Sequence, residues 1–226
     1  DGAGSAERSA EGARCAADAV LMALATRLAN GWPAGAEPWR EIFEQAYGTA
    51  KASVERLAEA AGMPARAFAS TLLCAALSDE VLALAQLGDG VAAGFSPAVD
   101  AASPPGESAG SDWFLAAGPQ RGEYANETYF LSQPNALQHL DIYVYAEPVR
   151  ALALMTDGLL RLVLDGQRRP HAPFFRPLLT FAVEVESPAA GQAQLGDFLR
   201  SERVSARTDD DKTILLALRR PPGWTP

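Results

Sequence analysis

The sequence predicts an α+β protein in which helices come first and antiparallel strands follow. Two long helical patterns open the chain, and short apolar runs separated by tight turns come next. Further helical patterns and one closing strand complete it. Because helices and strands are segregated along the chain, the order favours antiparallel sheets over an alternating βαβ fold.

The helices are predicted from apolar residues that recur at helical spacing. The first runs from about Ser5 to Leu28, with Ser5 as its N-cap. The second runs from Glu37 to Ala61, with Pro38 in its first turn and Gly62 just past its end. A short helix begins at Asp157-Gly158 and continues to Leu164, and two more are predicted over His171 to Val185 and Ala190 to Leu199.

Strands are predicted wherever short apolar runs are bounded by turn residues. The runs are Phe68 to Leu77, Val81 to Leu87, Val91 to Phe95, Trp113 to Ala116, Tyr129 to Leu131, Ile142 to Tyr145, Arg150 to Met155 and Thr213 to Leu218. The first two form a hairpin, and Asp89-Gly90 predicts a second tight reversal into the third. The segment Ser96 to Gly110 is rich in Pro, Ser, Gly and Ala, which predicts a flexible loop.

Composition excludes several classes of partner. The chain has 226 residues, with 28 acidic and 19 basic side chains and a net charge of −9. Such an acidic surface repels phosphate backbones, so we expect no nucleic-acid partner. No apolar stretch reaches the ~18 residues of a membrane span, so we expect no membrane partner either. Cys15 and Cys74 lie apart among apolar residues, which predicts buried thiols in a reducing, cytoplasmic compartment.

Aspartates beside glycines recur at element boundaries: Asp1-Gly2 stands before the first helix, and Asp89-Gly90 and Asp157-Gly158 follow predicted strands. An acidic run, Asp209 to Asp211, leads into the last strand. Each has a simpler interpretation: a chain end, a hairpin turn, a helix N-cap and a solvated loop. If these aspartates converge in the fold, however, we expect a cation between them. Two carboxylates ~4 Å apart repel by about 4 kcal/mol at an effective dielectric of 20. A set of oxygen ligands favours Mg²⁺ or Mn²⁺ over zinc.

Six segments, in chain order, resemble the motifs of the metal-dependent protein phosphatases, the 2C-type serine/threonine family, and most of all a bacterial branch of it. The matching segments are Asp1-Gly2-Ala3-Gly4-Ser5, Ser70-Thr71-Leu72, Gly88-Asp89-Gly90, Gly122-Glu123-Tyr124-Ala125-Asn126-Glu127-Thr128, Thr156-Asp157-Gly158 and Asp210-Asp211-Lys212-Thr213. The resemblance covers the whole chain.

The resemblance implies a fold, a cofactor and a reaction. The fold is a four-layer α-β-β-α sandwich of antiparallel sheets flanked by helix pairs. Asp1 would bridge two Mg²⁺ or Mn²⁺ ions, the Gly2 carbonyl would bind one, and Asp157 and Asp210 the other. Asp89 would hold a third ion together with Asp157. A metal-bridging water would then hydrolyse phosphoserine or phosphothreonine in a phosphoprotein, opposing a Ser/Thr kinase or acting on its targets.

The sequence also departs from the family pattern. Members carry a strand with an acidic ligand before the Asp-Gly motif, so we expect residues 1–226 to be a single phosphatase domain lacking its N-terminal strand or strands. Val91 stands where the family often has Arg, and Arg161 where many members have a further acidic ligand. Glu123 and Asn126 are candidates for substrate binding, with backbone capping as the alternative.

Two other functions remain open at this point. The departures favour a catalytically inactive phosphatase or binding module as the first alternative. The second is an acyl hydrolase, because Gly106 to Gly110 fits the G-x-S-x-G pattern with Ser108 as nucleophile and His139 or His171 as base. That motif needs a strand before the serine and a helix after it, whereas here it lies in a Pro/Ser-rich segment, which favours a loop.

Overall fold

The computed structural model describes residues 1–96, 113–120, 128–146 and 148–219. The chain divides into two compact units, one formed by Asp1–Gly90 with Pro119–Ala146 and the other by Val91–Gly118 with Glu147–Pro226. That residues 1–226 form one phosphatase domain stays a prediction. The predicted flexible loop lies outside the described residues except for Ser96.

Two helices form the helical layer of the first unit: α1 spans Ser9–Leu28 and α2 spans Glu37–Ala60. The predicted start of α2 is confirmed and its end lies one residue before the predicted Ala61; Gly62 follows with φ of +64°. The predicted start of α1 at Ser5 is wrong. The preceding residues instead bond to another segment, since the N–H groups of Ala3 and Arg8 donate to the carbonyls of Ala69 and Ala67.

Seven strands are seen in the described residues. They are β1 (Leu72–Leu77), β2 (Leu82–Leu87), β3 (Val91–Phe95), β4 (Trp113–Ala117), β5 (Asp141–Tyr145), β6 (Ala151–Met155) and β7 (Ile214–Leu218). A three-stranded sheet has the order β1-β2-β5, a four-stranded sheet has the order β4-β3-β6-β7, and every pairing is antiparallel.

Three strand predictions need correction. The run predicted from Phe68 begins as a 3-10 helix, Ala65–Phe68, before β1 starts at Leu72. Tyr129 to Leu131 is not a strand. The reversal at Asp89-Gly90 is not a hairpin, because β2 and β3 belong to different sheets. A polypeptide can change sheets at a glycine-flanked turn as readily as it can fold back, and local sequence does not distinguish the two outcomes.

The core of the first unit lies between its helices and its sheet. Trp39, Phe43 and Tyr47 of α2 are fully buried there, and small strand residues such as Ala85 leave room for them. The Tyr47 hydroxyl is 2.6 Å from the carbonyl oxygen of Ala85 and 3.1 Å from that of Leu72. This side chain therefore ties α2 to both β1 and β2.

The second unit also combines a sheet with helices. The 3-10 helix Asp157–Leu159 leads into α3 (Leu160–Val163), followed by α4 (Ala172–Glu184), α5 (Pro188–Arg200) and α6 (Glu202–Ser205). The helix α6 has no counterpart in the sequence prediction. The core of the second unit contains Trp113 of β4, which stacks on Phe175 of α4 with ring centroids 4.6 Å apart. The predicted class, helices combined with antiparallel sheets, is confirmed.

None of the helices in the described part of the chain is both long and apolar enough to cross a membrane. Cys74 is buried as predicted, whereas Cys15 is only half-buried.

Candidate metal centre

The Asp-Gly motif at the start of the chain lies beside the beginning of β1. Gly2 forms an antiparallel bridge with Ser70, and the N–H of Thr71 donates to the carbonyl oxygen of Asp1 at 2.9 Å. The N–H of Gly2 donates to Oδ1 of Asp1, also at 2.9 Å. Two segments with family-like motifs, far apart in sequence, are thus hydrogen-bonded neighbours.

The Gly88-Asp89-Gly90 turn leaves the same end of this sheet. Leu72 of β1 pairs with Leu87 of β2, so Gly88 follows β2 next to Thr71. Gly88 has φ of +114°, and a Cβ on it would overlap the side chain of Thr71. A close contact between Thr71 and Gly88 therefore connects the Asp1 motif with the Asp89 turn.

The carboxylate of Asp89 has a specific partner. Thr128 donates its hydroxyl to Oδ2 of Asp89 at 2.6 Å. Thr128 ends the segment predicted as the signature of the bacterial branch, whereas Glu123 and Asn126 lie outside the described residues. Their proposed contact with substrate stays a prediction.

Two glutamines that the sequence analysis missed hold this turn. Gln86 is fully buried, and its Nε2 donates to the carbonyls of Gly88 and Gly90 at 2.9 and 2.8 Å. Gln120 accepts the N–H of Gly88 through Oε1 at 2.6 Å and donates from Nε2 to Oδ2 of Asp141 at 2.7 Å. The one available signal was the lone polar residue, Gln86, in an otherwise apolar strand.

In the second unit, two motifs meet at the end of β6 and β7. Met155 pairs with Ile214, so Thr156 and Thr213 come next to each other. The N–H of Thr156 donates to the carbonyl of Thr213 at 3.2 Å, and the N–H of Thr213 donates to Oγ1 of Thr156 at 2.9 Å. These bonds fix the Thr156-Asp157-Gly158 turn to the Asp210–Thr213 segment.

Gly158 allows the closest approach of the two segments. A Cβ on Gly158 would overlap the carbonyl oxygen of Asp211 and would lie 3.2 Å from Cβ of Asp210. The structure therefore brings Asp157 and Asp210, two of the predicted metal ligands, to one end of the sheet.

The two carboxylates have different surroundings. Asp157 is half-buried with Oδ1 enclosed by the protein, and it is the first residue of its 3-10 helix, whose N-cap position belongs to Thr156. The simpler interpretation of Asp157 as an N-cap is therefore wrong. Asp210 is exposed, like Asp209 and Asp211, and its Oδ1 accepts the N–H of Asp211 at 2.9 Å.

The donor chemistry fits a hard divalent ion. Carboxylates accompanied by a close main-chain carbonyl are ligands that Mg²⁺ and Mn²⁺ accept. In the second unit, the Asp211 carbonyl oxygen and Cβ of Asp210 lie against Gly158, the residue that follows Asp157. Within either unit, the described residues contain no group of three His, Cys, Asp or Glu side chains that could hold a metal. The ligand roles of Asp1, Gly2, Asp89, Asp157 and Asp210 thus stay predictions.

Of the three residues of the hydrolase alternative, His139 and His171 lie in the described part of the chain. Ser108 lies outside the described residues. His139 stacks on Tyr129, with ring centroids 3.8 Å apart, and its Nε2 is 3.0 Å from Nδ2 of Asn135. His171 precedes α4, where its carbonyl accepts the N–H groups of Phe174 and Phe175.

Comparison with known proteins identifies the family. The family model for protein phosphatase 2C matches residues 1–200. The chain belongs to the protein phosphatase 2C family. Serine/threonine-protein phosphatase 3 of Escherichia coli K12 is 32% identical over 226 residues, which cover 96% of this chain and 81% of that protein. The family and the enzyme class predicted from the motifs, a protein phosphatase, are confirmed.

Solved structures of phosphatases share the fold of this 2C-type chain. A bacterial serine phosphatase bearing an R161K mutation has a TM-score of 0.60 at 12% identity, covering 96% of this chain and 83% of that one. Stp1 of Staphylococcus aureus has a TM-score of 0.56 at 14% identity, covering 98% and 82%. The catalytic domain of the phosphatase PstP, with two manganese ions, has a TM-score of 0.53 at 13% identity, covering 90% and 79%.

Proposed function

We propose that this 2C-type chain is a metal-dependent protein phosphatase that hydrolyses phosphoserine and phosphothreonine in phosphoproteins. The observation that carries the proposal is the fit of Gly158 against Asp210 and Asp211, which holds two aspartates of the family motifs at one sheet end. Like-charged carboxylates are rarely gathered without a cation to offset their repulsion. The name of the Escherichia coli relative, a serine/threonine-protein phosphatase, supports the substrate class.

The proposed ligands are the carboxylates of Asp1, Asp157 and Asp210 and the carbonyl of Gly2, with Asp89 as a ligand of a third ion. Two Mg²⁺ or Mn²⁺ ions held in this way would polarise a phosphoryl group and lower the pKa of a coordinated water. The PstP structure, which contains two manganese ions, supports two metals as the number to test first.

The protein's own residues contribute orientation. Thr156 bonds to Thr213 in both directions, which fixes the backbone immediately before Asp157. Lys212 donates from Nζ to the carbonyl of Asp210 at 3.0 Å, and Oδ1 of Asp210 is held by the N–H of Asp211. Under this proposal Oδ2 is the Asp210 oxygen that faces the ion. Supporting contacts of this kind set ligand direction and affinity in metal sites.

The test is hydrolysis of a phosphothreonine peptide by the full chain with Mn²⁺. We expect Asp157→Asn and Asp210→Asn each to lower the phosphatase activity by at least roughly 10–100-fold. Losing a residue that only supports a metal ligand already costs that much. Asp209→Asn is the matched control, because Asp209 is an exposed aspartate of the same segment, and it should keep full activity. Unchanged activity in Asp157→Asn would refute the proposal.

Calorimetric titration with Mn²⁺ distinguishes the inactive alternative from the active phosphatase. No binding of Mn²⁺ at micromolar to millimolar concentrations, in a folded chain without turnover, would favour the inactive phosphatase or binding module. The Ser108 hydrolase is removed if the chain has no esterase activity, or if Ser108→Ala retains it. We also propose a cytoplasmic location, because the two thiols suit a reducing compartment, and a kinase that acts on the same substrates.

A further inference from the structure

A cavity of about 360 Å³ lies among the helices of the second unit. None of the residues that line it belongs to the six phosphatase motifs. Its wall is formed by side chains of α3, α4, α5 and α6 together with His171 and Arg207, and none of the aspartates discussed above lines it. The volume falls within the roughly 300–1,000 Å³ typical of small-molecule sites. It is large enough for a bicyclic aromatic molecule.

Three aromatic rings contribute to the apolar part of the wall, beside leucine, proline and valine side chains. Phe174, Phe181 and Phe198 line the cavity, and each is half-buried. The rings of Phe174 and Phe198 have centroids 6.1 Å apart and are tilted by 53°. Aromatic rings prefer offset or edge-to-face partners at such distances, so a flat aromatic ligand has suitable surfaces to contact.

The rest of the wall carries positive charge. Arg203 and Arg207 line the cavity and are exposed. In the described part of the chain neither guanidinium forms a salt bridge, whereas Arg200 and Arg169 pair with Asp197 and Asp165. Two unpaired guanidinium groups beside an apolar cavity are notable in a chain with a net charge of −9. A planar guanidinium matches a carboxylate with two parallel hydrogen bonds.

We propose that this cavity binds a small aromatic carboxylate, with the rings among Phe174, Phe181 and Phe198 and the carboxylate at Arg203 and Arg207. The two parts of the wall select the two parts of this ligand. A neutral aromatic compound would leave the guanidinium groups without an anion, and a purely polar anion would leave the apolar wall uncovered. The proposal does not depend on phosphatase activity.

The experiment is calorimetric titration of the full chain with 2-naphthoate, with 2-naphthamide as the neutral ligand of the same shape. We expect one naphthoate per chain with Kd below about 1 mM, the range accessible to so small a contact area. Arg203→Gln and Arg207→Gln should each weaken it by at least about fivefold, the loss expected for one charge-assisted hydrogen bond. Arg176→Gln, an exposed arginine of α4 outside the cavity wall, should leave Kd within twofold.

Three results would overturn the proposal. The first is no heat of binding at millimolar naphthoate in a chain whose melting curve shows it folded. The second is equal affinity for naphthoate and naphthamide, or for the native chain and both arginine variants. The third is a dimer in sedimentation velocity that either arginine variant dissociates, since this would show that a second copy of the chain covers the cavity.

Discussion

Thr156 and Thr213 are joined by two reciprocal hydrogen bonds. The Thr156 N–H donates to the Thr213 carbonyl, and the Thr213 N–H donates to the Thr156 hydroxyl oxygen. The side-chain bond replaces the next rung of the ladder between β6 and β7. The hydroxyl of Thr156 also lies 3.4 Å from the carbonyl of Asp211. This pair sets the separation of the two acidic segments.

Thr156→Val removes the hydroxyl while keeping the shape of the side chain. We expect a loss of about 1–2 kcal/mol in the free energy of unfolding, because the N–H of Thr213 loses its acceptor. We also expect weaker Mn²⁺ binding, measured by calorimetry. Thr180→Val is the control, since the Thr180 hydroxyl donates to the carbonyl of Arg176 in its own helix. An equal loss of Mn²⁺ affinity in both variants would contradict this role for Thr156.

Gly158→Ala introduces a methyl group where the carbonyl oxygen of Asp211 lies. Either the turn or the Asp210 segment must shift, and we expect a loss of about 1–3 kcal/mol of stability, as for overpacking. Phosphatase activity should fall with it, because Asp157 and Asp210 separate. Gly166→Ala is the matched control, since nothing lies within 4 Å of a Cβ at Gly166. Chemical denaturation and peptide hydrolysis check both variants, and native behaviour of Gly158→Ala would disprove the contact.

Gly88→Ala tests the contact between the Asp89 turn and Thr71. Gly88 and Gly31 have nearly the same φ, +114° and +113°, but a Cβ overlaps Thr71 only at Gly88. Gly31→Ala should therefore cost only the left-handed backbone strain, about 1–2 kcal/mol. Gly88→Ala should cost about 1–3 kcal/mol more, because it adds the overlap. Urea denaturation measures both, and equal losses would show that Thr71 moves aside freely.

The pH dependence of stability follows from the buried thiol of Cys74. Burial raises the pKa of Cys74 from 9.0 to about 12. Between those values the unfolded chain releases a proton that the folded chain keeps, so stability is full below pH 9 and falls as the pH rises. The slope is about 1.4 kcal/mol per pH unit for this group. Burial also raises the pKa of Tyr47, which steepens the loss at higher pH.

Cys74→Ala should flatten this alkaline slope, measured by denaturation from pH 8 to 10.5. Cys15→Ala is the control, because burial raises the pKa of the half-buried Cys15 thiol as well but leaves it partly in contact with solvent. We expect a smaller change of slope in that variant. An identical slope in the native chain and in Cys74→Ala would mean that Cys74 is not the titrating group.

Local periodicity and the order of the motifs could be read from the residues without a structure. The bounds of α2 follow from its apolar spacing, Pro38 and Gly62, all of which act within a few residues of the helix they define. The turn after β6 was predicted as a short helix from Asp157 because Asp-Gly follows an apolar strand, and the structure has one there. Six motifs in order were enough to predict the family, which the comparisons confirmed.

Which distant segments are neighbours becomes visible only in the folded chain. The exchange of hydrogen bonds between Thr156 and Thr213 and the hydroxyl of Thr128 on Asp89 join residues dozens of positions apart. The contacts of Gln86 and Gln120 depend on the path of the Gly88-Asp89-Gly90 turn. The local sequence of that turn is equally compatible with a hairpin. The physical reason is that strand pairing and side-chain hydrogen bonds are long-range choices, made by burial and register, which residue type alone does not encode.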